Sequence, residues 1–137
     1  MQVSGCIKSL HEAGITVRMA TGDNIQTARA IAEKCGIINS KWDDLHLHLA
    51  LDRKEFNEKV MDVNGEVVQQ KLDGIWPQLR VLAGCSPTDK YNLVLSVGPR
   101  RSKEVVAFVG RETNDAVTMK VADVGIAMVI HSLAGFM

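Results

Sequence analysis

Three short runs carry side chains suited to handling a phosphate. Thr21-Gly22-Asp23-Asn24 offers a hydroxyl and, at its glycine, backbone N–H groups that can approach an anion closely. Ser86-Pro87-Thr88-Asp89-Lys90 sets an ammonium near the start of a helix, where it can reach back to a phosphate as a point charge. In Val109-Gly110-Arg111-Glu112-Thr113-Asn114-Asp115, Asn114 and Asp115 can hydrogen-bond around a metal and a phosphate. Each run alone also has a plainer reading: a common strand-to-helix turn, a surface lysine, and a pair of N-capping residues.

The elements that must position these runs follow from spacing. Val3, Cys6, Ile7, Leu10 and Ala13 give one helical face, stopped by Gly14. Residues 15–20 read as a strand ending at the Thr21 run. Ile25, Ala28, Ile31, Ala32 and Cys35 give a second helix, capped by Asp23 or Asn24 and closed by Gly36. Residues 38–78 are less regular and read as an insertion. Within them, leucines at 45, 47, 49 and 51 alternate as in a strand, and Asp52 caps a short helix to about Met61. Asn64-Gly65 marks a turn, and residues 67–76 a further short helix before Pro77. Residues 79–84 read as a strand, and Ser86-Pro87 as a strong helix start. Residues 105–109 form a continuous apolar run, the pattern of a strand buried on both faces. A short helix over 113–121 and a strand over 124–129 complete the chain. Strand and helix alternate, which predicts an α/β fold with a parallel sheet and helices on both faces. In such a sheet, ligands sit beyond the C-terminal ends of the strands, where all three runs fall.

Bulk properties bound the reading. A chain of 137 residues with 46% apolar content makes one domain at most. Lys plus Arg and Asp plus Glu balance at 16 each, which predicts no nucleic-acid partner. The odd count of three scattered cysteines fits reduced thiols. No apolar run reaches the roughly 18 to 20 residues that span a bilayer. His46-x-His48 lacks the further ligands that zinc wants, and Arg100-Arg101-Ser102-Lys103 reads as a solvated loop.

Order and joint occurrence sharpen this. Met19 to Asn24, Ser86 to Lys90, Thr113-Asn114-Asp115-Ala116 and Lys120-Val121-Ala122-Asp123-Val124-Gly125-Ile126-Ala127-Met128 together resemble the phosphorylation domain of the P-type ATPases. Thr27-Ala28-Arg29-Ala30-Ile31-Ala32, residues 51–56, Lys71-Leu72-Asp73 and Ile75-Trp76-Pro77 resemble plasma-membrane-type calcium pumps. The resemblance covers roughly residues 3–128. It implies a Rossmann-like, haloacid-dehalogenase-like sheet. It also implies an ATP- and magnesium-dependent transfer of phosphate to an aspartate that drives calcium export. By position, Thr21 and Gly22 would contact the phosphoryl group, Lys90 would neutralise it, and Asp115 with Asn114 would support the metal site. Asp23 would lie near the nucleotide or the hinge. The implied partners are the nucleotide-binding, actuator and transmembrane parts of a pump, and the implied place is the cytosolic face of the plasma membrane.

The chain departs from that pattern. It contains no Asp-Lys-Thr-Gly-Thr, so the nucleophile and its strand are absent from these residues. Where the family has the first Asp of Gly-Asp-Gly-Thr-Asn-Asp, a magnesium ligand, this chain has Arg111; Glu112 replaces a glycine and Val117 a proline. Without the central strand, the strands ending at Ala20 and Val109 must pair with each other or leave open edges, which invite self-association. The expected function is therefore a part of a calcium pump, inactive alone. The rivals are a catalytically dead interaction or regulatory module and a translated relic. A free-standing phosphatase would need an Asp-x-Asp nucleophile, which these residues lack.

Overall fold

Local signals set the helices. In the computed structural model, which describes residues 2–39, 50–98, 104–111 and 113–128, helix α1 spans Gln2–Glu12 and α2 spans Ile25–Cys35. Asn24 settles the choice of cap for α2. Its Oδ1 accepts from the Thr27 N–H at 2.9 Å, while Gly36 closes the helix at φ 82°, a left-handed conformation that costs glycine little. Helix α3 spans Arg53–Val60 behind a reciprocal capping box of Asp52 and Glu55. Helix α4 spans Gln69–Ile75, and α5 spans Pro87–Val97 behind a second capping box of Ser86 and Asp89. A 3₁₀ turn over Thr113–Asp115 leads into α6, Ala116–Val121.

The strands are short, and among the described residues every strand pair is parallel. They are β1 Met19–Ala20, β2 Ala50–Asp52, β3 Val81–Ala83, β4 Ala107–Gly110 and β5 Val124–Ala127. The α/β class with parallel pairing expected from the alternating pattern is therefore present. The described residues form two compact units, Met1–Cys85 and Ser86–Met137.

In the first unit the strand order is β1-β3-β2, with β3 in the middle and Leu51 opposite Leu82. Ala50, Val81 and Ala83 face α2, where Ala28 and Ala32 are fully buried against them. Small side chains on both elements let the helix lie close to the sheet. Leu51 and Leu82 point to the opposite face and are buried too. Arg18 ties the start of β1 to the end of α4. Its guanidinium donates to the Leu79 and Trp76 carbonyls at 3.0 Å each and stacks 3.9 Å from the Trp76 ring centroid. The expected strand over 15–20 shrinks to two residues because only Met19 and Ala20 find partners, and Ile15 stays exposed.

The turn at Asn64-Gly65 forms as expected. The Asp62 carboxylate accepts from the N–H groups of Asn64 at 2.8 Å and Glu66 at 3.0 Å. These bonds, the Glu66 one foremost, hold the Asp62 carboxyl below its ordinary range.

In the second unit β4 pairs with β5, and α6 packs on both strands. The expectation of a strand buried on both faces does not hold for β4. Val109 is 53% exposed and Ala107, two residues away on the same face of the strand, is exposed too, so that face is not covered by the packing of α6. The first three leucines of the alternating run 45–51, the His46-x-His48 pair, Trp42 and the basic loop at 99–103 lie outside the described residues.

Candidate phosphate-binding site

In the first unit, the Thr21 run is a built turn rather than an open loop. The Thr21 N–H donates to the Leu82 carbonyl at 3.0 Å, continuing the β1–β3 ladder by one residue. Its Oγ1 accepts from the Asp23 N–H at 3.1 Å. The adjacent loop after β3 clasps the same turn: the Cys85 N–H donates to the Thr21 carbonyl at 2.9 Å and the Gly84 N–H to the Asp23 carbonyl at 2.8 Å. Gly22 is exposed at the tip. The Thr21 hydroxyl proton and the Gly22 N–H are the groups that this turn can aim at an anion. Sequence reasoning missed the role of Gly84 and Cys85; a glycine directly after an apolar strand was the available signal, and Gly84 stands at φ 68°. An open groove lined by Asp52, Arg53, Lys54, Asn57, Glu58 and Gly84 lies at the start of α3, and none of the expected site residues lines it.

In the second unit, Lys90 and Asp115 meet. Lys90 Nζ lies 3.3 Å from Asp115 Oδ1, and the two side chains are only 17% and 5% exposed. The other oxygen, Oδ2, accepts from the Arg111 N–H at 3.2 Å. Asp115 therefore does not cap α6: it sits at the N-cap position but makes no capping hydrogen bond with its side chain. Gly110 makes this possible. A Cβ there would lie 2.7 Å from the Asp115 Cβ and 3.2 Å from Oδ2, closer than side chains tolerate. The glycine's value here is absence of bulk. Asn114 is exposed on the 3₁₀ turn, and Arg111 is exposed at the end of β4. The contact from residue 111 to Asp115 runs through the backbone N–H, so it does not depend on the side chain there, proline excepted.

Lys90 reaches Asp115 because the Ser86–Asp89 capping box fixes the first turn of α5. The Ser86 N–H and Oγ–H donate to Asp89 Oδ2 at 2.7 and 2.8 Å, and the Asp89 N–H donates to Ser86 Oγ at 3.2 Å. One residue further along, Lys90 projects from a helical turn that is already locked.

No protein-family model matches the chain. Individual proteins do. The chain is 50% identical over 130 residues to plasma membrane calcium-transporting ATPase 1 of Gallus gallus and 52% identical over 130 residues to plasma membrane calcium-transporting ATPase mca-1 of Caenorhabditis elegans. It is 54% identical over 132 residues to plasma membrane calcium-transporting ATPase 4 of Homo sapiens. The chain belongs to the plasma-membrane calcium-transporting ATPase family. The matches take in 93% of this chain and 10% of each relative, so it corresponds to about a tenth of such a pump. Among the described residues no helix is long and apolar enough to cross a membrane.

Calcium-transporting ATPases imply ATP and magnesium, and the described residues do not fit a magnesium ion. Both oxygens of Asp115 are engaged, one by an ammonium. The position next to buried Gly110 that the family pattern gives to an acidic ligand carries a guanidinium. Among the described residues, no group of three or more His, Cys, Asp or Glu side chains is arranged to hold a metal.

Proposed function

We propose that this chain is the C-terminal part of the phosphorylation domain of a calcium-transporting P-type ATPase, residues 38–78 being an insertion within it. On this reading it carries the loops that surround the phosphoryl group but not the aspartate that accepts it. The single observation that carries the reading is the identity of about half the residues across 93% of the chain. The roles are those the family resemblance implies by position, and the side-chain chemistry suits them. Thr21 and Gly22 present a hydroxyl and a backbone N–H to the phosphoryl oxygens. Lys90 supplies positive charge, anchored by Asp115. Asn114 adds a polar side chain beside Asp115, and Asp23 lies near the nucleotide or the hinge. ATP binds through parts of the pump beyond these residues. Alone, the chain forms no aspartyl phosphate, because it has no Asp-Lys-Thr-Gly-Thr to phosphorylate. Its place is the cytosolic face of the plasma membrane, joined to the nucleotide-binding, actuator and transmembrane parts.

The test is a chimera. Residues 3–128 replace the corresponding segment of human plasma membrane calcium-transporting ATPase 4, and acid-stable phosphoenzyme is measured from labelled ATP. The chimera carrying Arg111→Asp and Glu112→Gly should form phosphoenzyme. A chimera that reaches the membrane with both changes and is never phosphorylated would sink this reading.

A second reading has one observation in its favour. Val105, Val109, Val124 and Ile126 are exposed on and beside the β4–β5 pair, as an interaction module needs. Such a module would come down with pump cytosolic domains in a pull-down.

A further inference from the structure

The disagreement between this chain and a magnesium site has a definite physical form. A carboxylate that is to hold a divalent cation must be able to turn an oxygen toward it. Asp115 has Lys90 Nζ on Oδ1 and the Arg111 N–H on Oδ2, in surroundings that leave the side chain 5% exposed. Gly110 lies so close to the same side chain that even a methyl group there would stand 2.7 Å from the Asp115 Cβ. The guanidinium of Arg111 is tethered to the backbone atom that already touches Asp115. A divalent ion arriving here meets a carboxylate already paired with an ammonium, and a second cationic side chain one residue from Gly110.

We propose that Lys90 is the resident cation of Asp115 and that Arg111 bars divalent metal from this position. The proposal rests on the family reading only for the register that sets residue 111 against a metal-binding aspartate; the contacts stand without it. The charge of residue 111 is the deciding variable. Arg111→Asp changes the local charge by two units while sparing the backbone contact to Asp115. That should tighten divalent binding by at least ~10-fold, since charges a few ångströms apart near a protein surface interact strongly. Arg111→Asn removes one unit and should tighten binding by a smaller factor, ~3-fold.

The experiment titrates Mn²⁺ into the full 137-residue chain and follows paramagnetic broadening of the amide resonances of Gly110, residue 111 and Asp115. The unchanged chain should broaden no more than Asp115→Asn, in which the carboxylate is lost. Folded Arg111→Asp should broaden selectively at these amides, at least ~10-fold lower in Mn²⁺. Two results overturn the proposal: the unchanged chain binding as tightly as Arg111→Asp, or a folded Arg111→Asp that remains blind to Mn²⁺. If Arg111→Asp does not fold, Arg111→Asn decides: a gain supports the proposal and no gain overturns it. No phosphorylation enters this readout, so it can fail while the chimera succeeds, and the reverse.

Discussion

Lys90 and Asp115, 25 residues apart, form a largely buried ion pair in which Nζ lies 3.3 Å from Oδ1. The pair joins the first turn of α5 to the 3₁₀ turn ahead of α6, and so fixes both ends of the second unit's candidate site.

Lys90→Met leaves the Asp115 carboxylate buried without its ammonium. A broken buried pair is expected to cost ~3–5 kcal/mol, whereas Lys90→Met/Asp115→Leu should recover much of the loss. Urea unfolding of the two variants checks this. Equal destabilisation by both would mean that the charge pairing contributes nothing.

Gly110→Ala should destabilise by ~1–3 kcal/mol, the usual range for forcing a methyl group into packed space. The new Cβ would sit 2.7 Å from the Asp115 Cβ, so the carboxylate must move away from the Arg111 N–H. Faster amide hydrogen exchange at residue 111 is the specific readout, because a change in stability alone would not report on that bond.

Arg18→Ala removes two bonds to carbonyls and the stacked face of Trp76. The loss should be ~1–3 kcal/mol, a cation–π contact plus hydrogen bonds from a charged donor. In a Trp42→Phe background, Trp76 fluorescence should shift to longer wavelength as its ring is uncovered. An unchanged spectrum would rule out the stacked arrangement.

Asp62 gives a dependence on pH. Its carboxyl is held below the ordinary value of 3.8 by accepting the Glu66 N–H first and the Asn64 N–H second. The folded value is depressed, so the contribution is fully present above the ordinary value and is lost as pH falls through the folded one. The amide shifts of Asn64 and Glu66 should titrate together, with a midpoint below 3.8, and Asp62→Asn should abolish that step. A midpoint at or above 3.8 would contradict the hydrogen-bonded turn.

Helices were legible from sequence because their causes are local. The α2 boundaries follow from one apolar stripe, an Asn at the start and a glycine at the end. Ser86-Pro87 marked the start of α5 for the same reason, and the Asp89 side of its capping box lies three residues away. Strands were legible as positions, not as lengths. Residues 15–20 all suit a strand, but only Met19 and Ala20 pair with β3, opposite Val81 and Leu82.

The candidate site divides in the same way. The sequence by itself determined the family, since half-identity over nearly the whole chain needs no coordinates. It also determined the oddity at Arg111, because a charge is a property of residue type. Tertiary structure decided what Asp115 does. From sequence it could cap a helix or support a metal, and only the approach of α5, 25 residues away, turned it into the partner of Lys90. Tertiary structure also decided the exposure of Val109, because the burial of an apolar strand depends on which neighbours complete its sheet. Propensity and capping act over a few residues, whereas pairing and burial depend on where distant residues arrive.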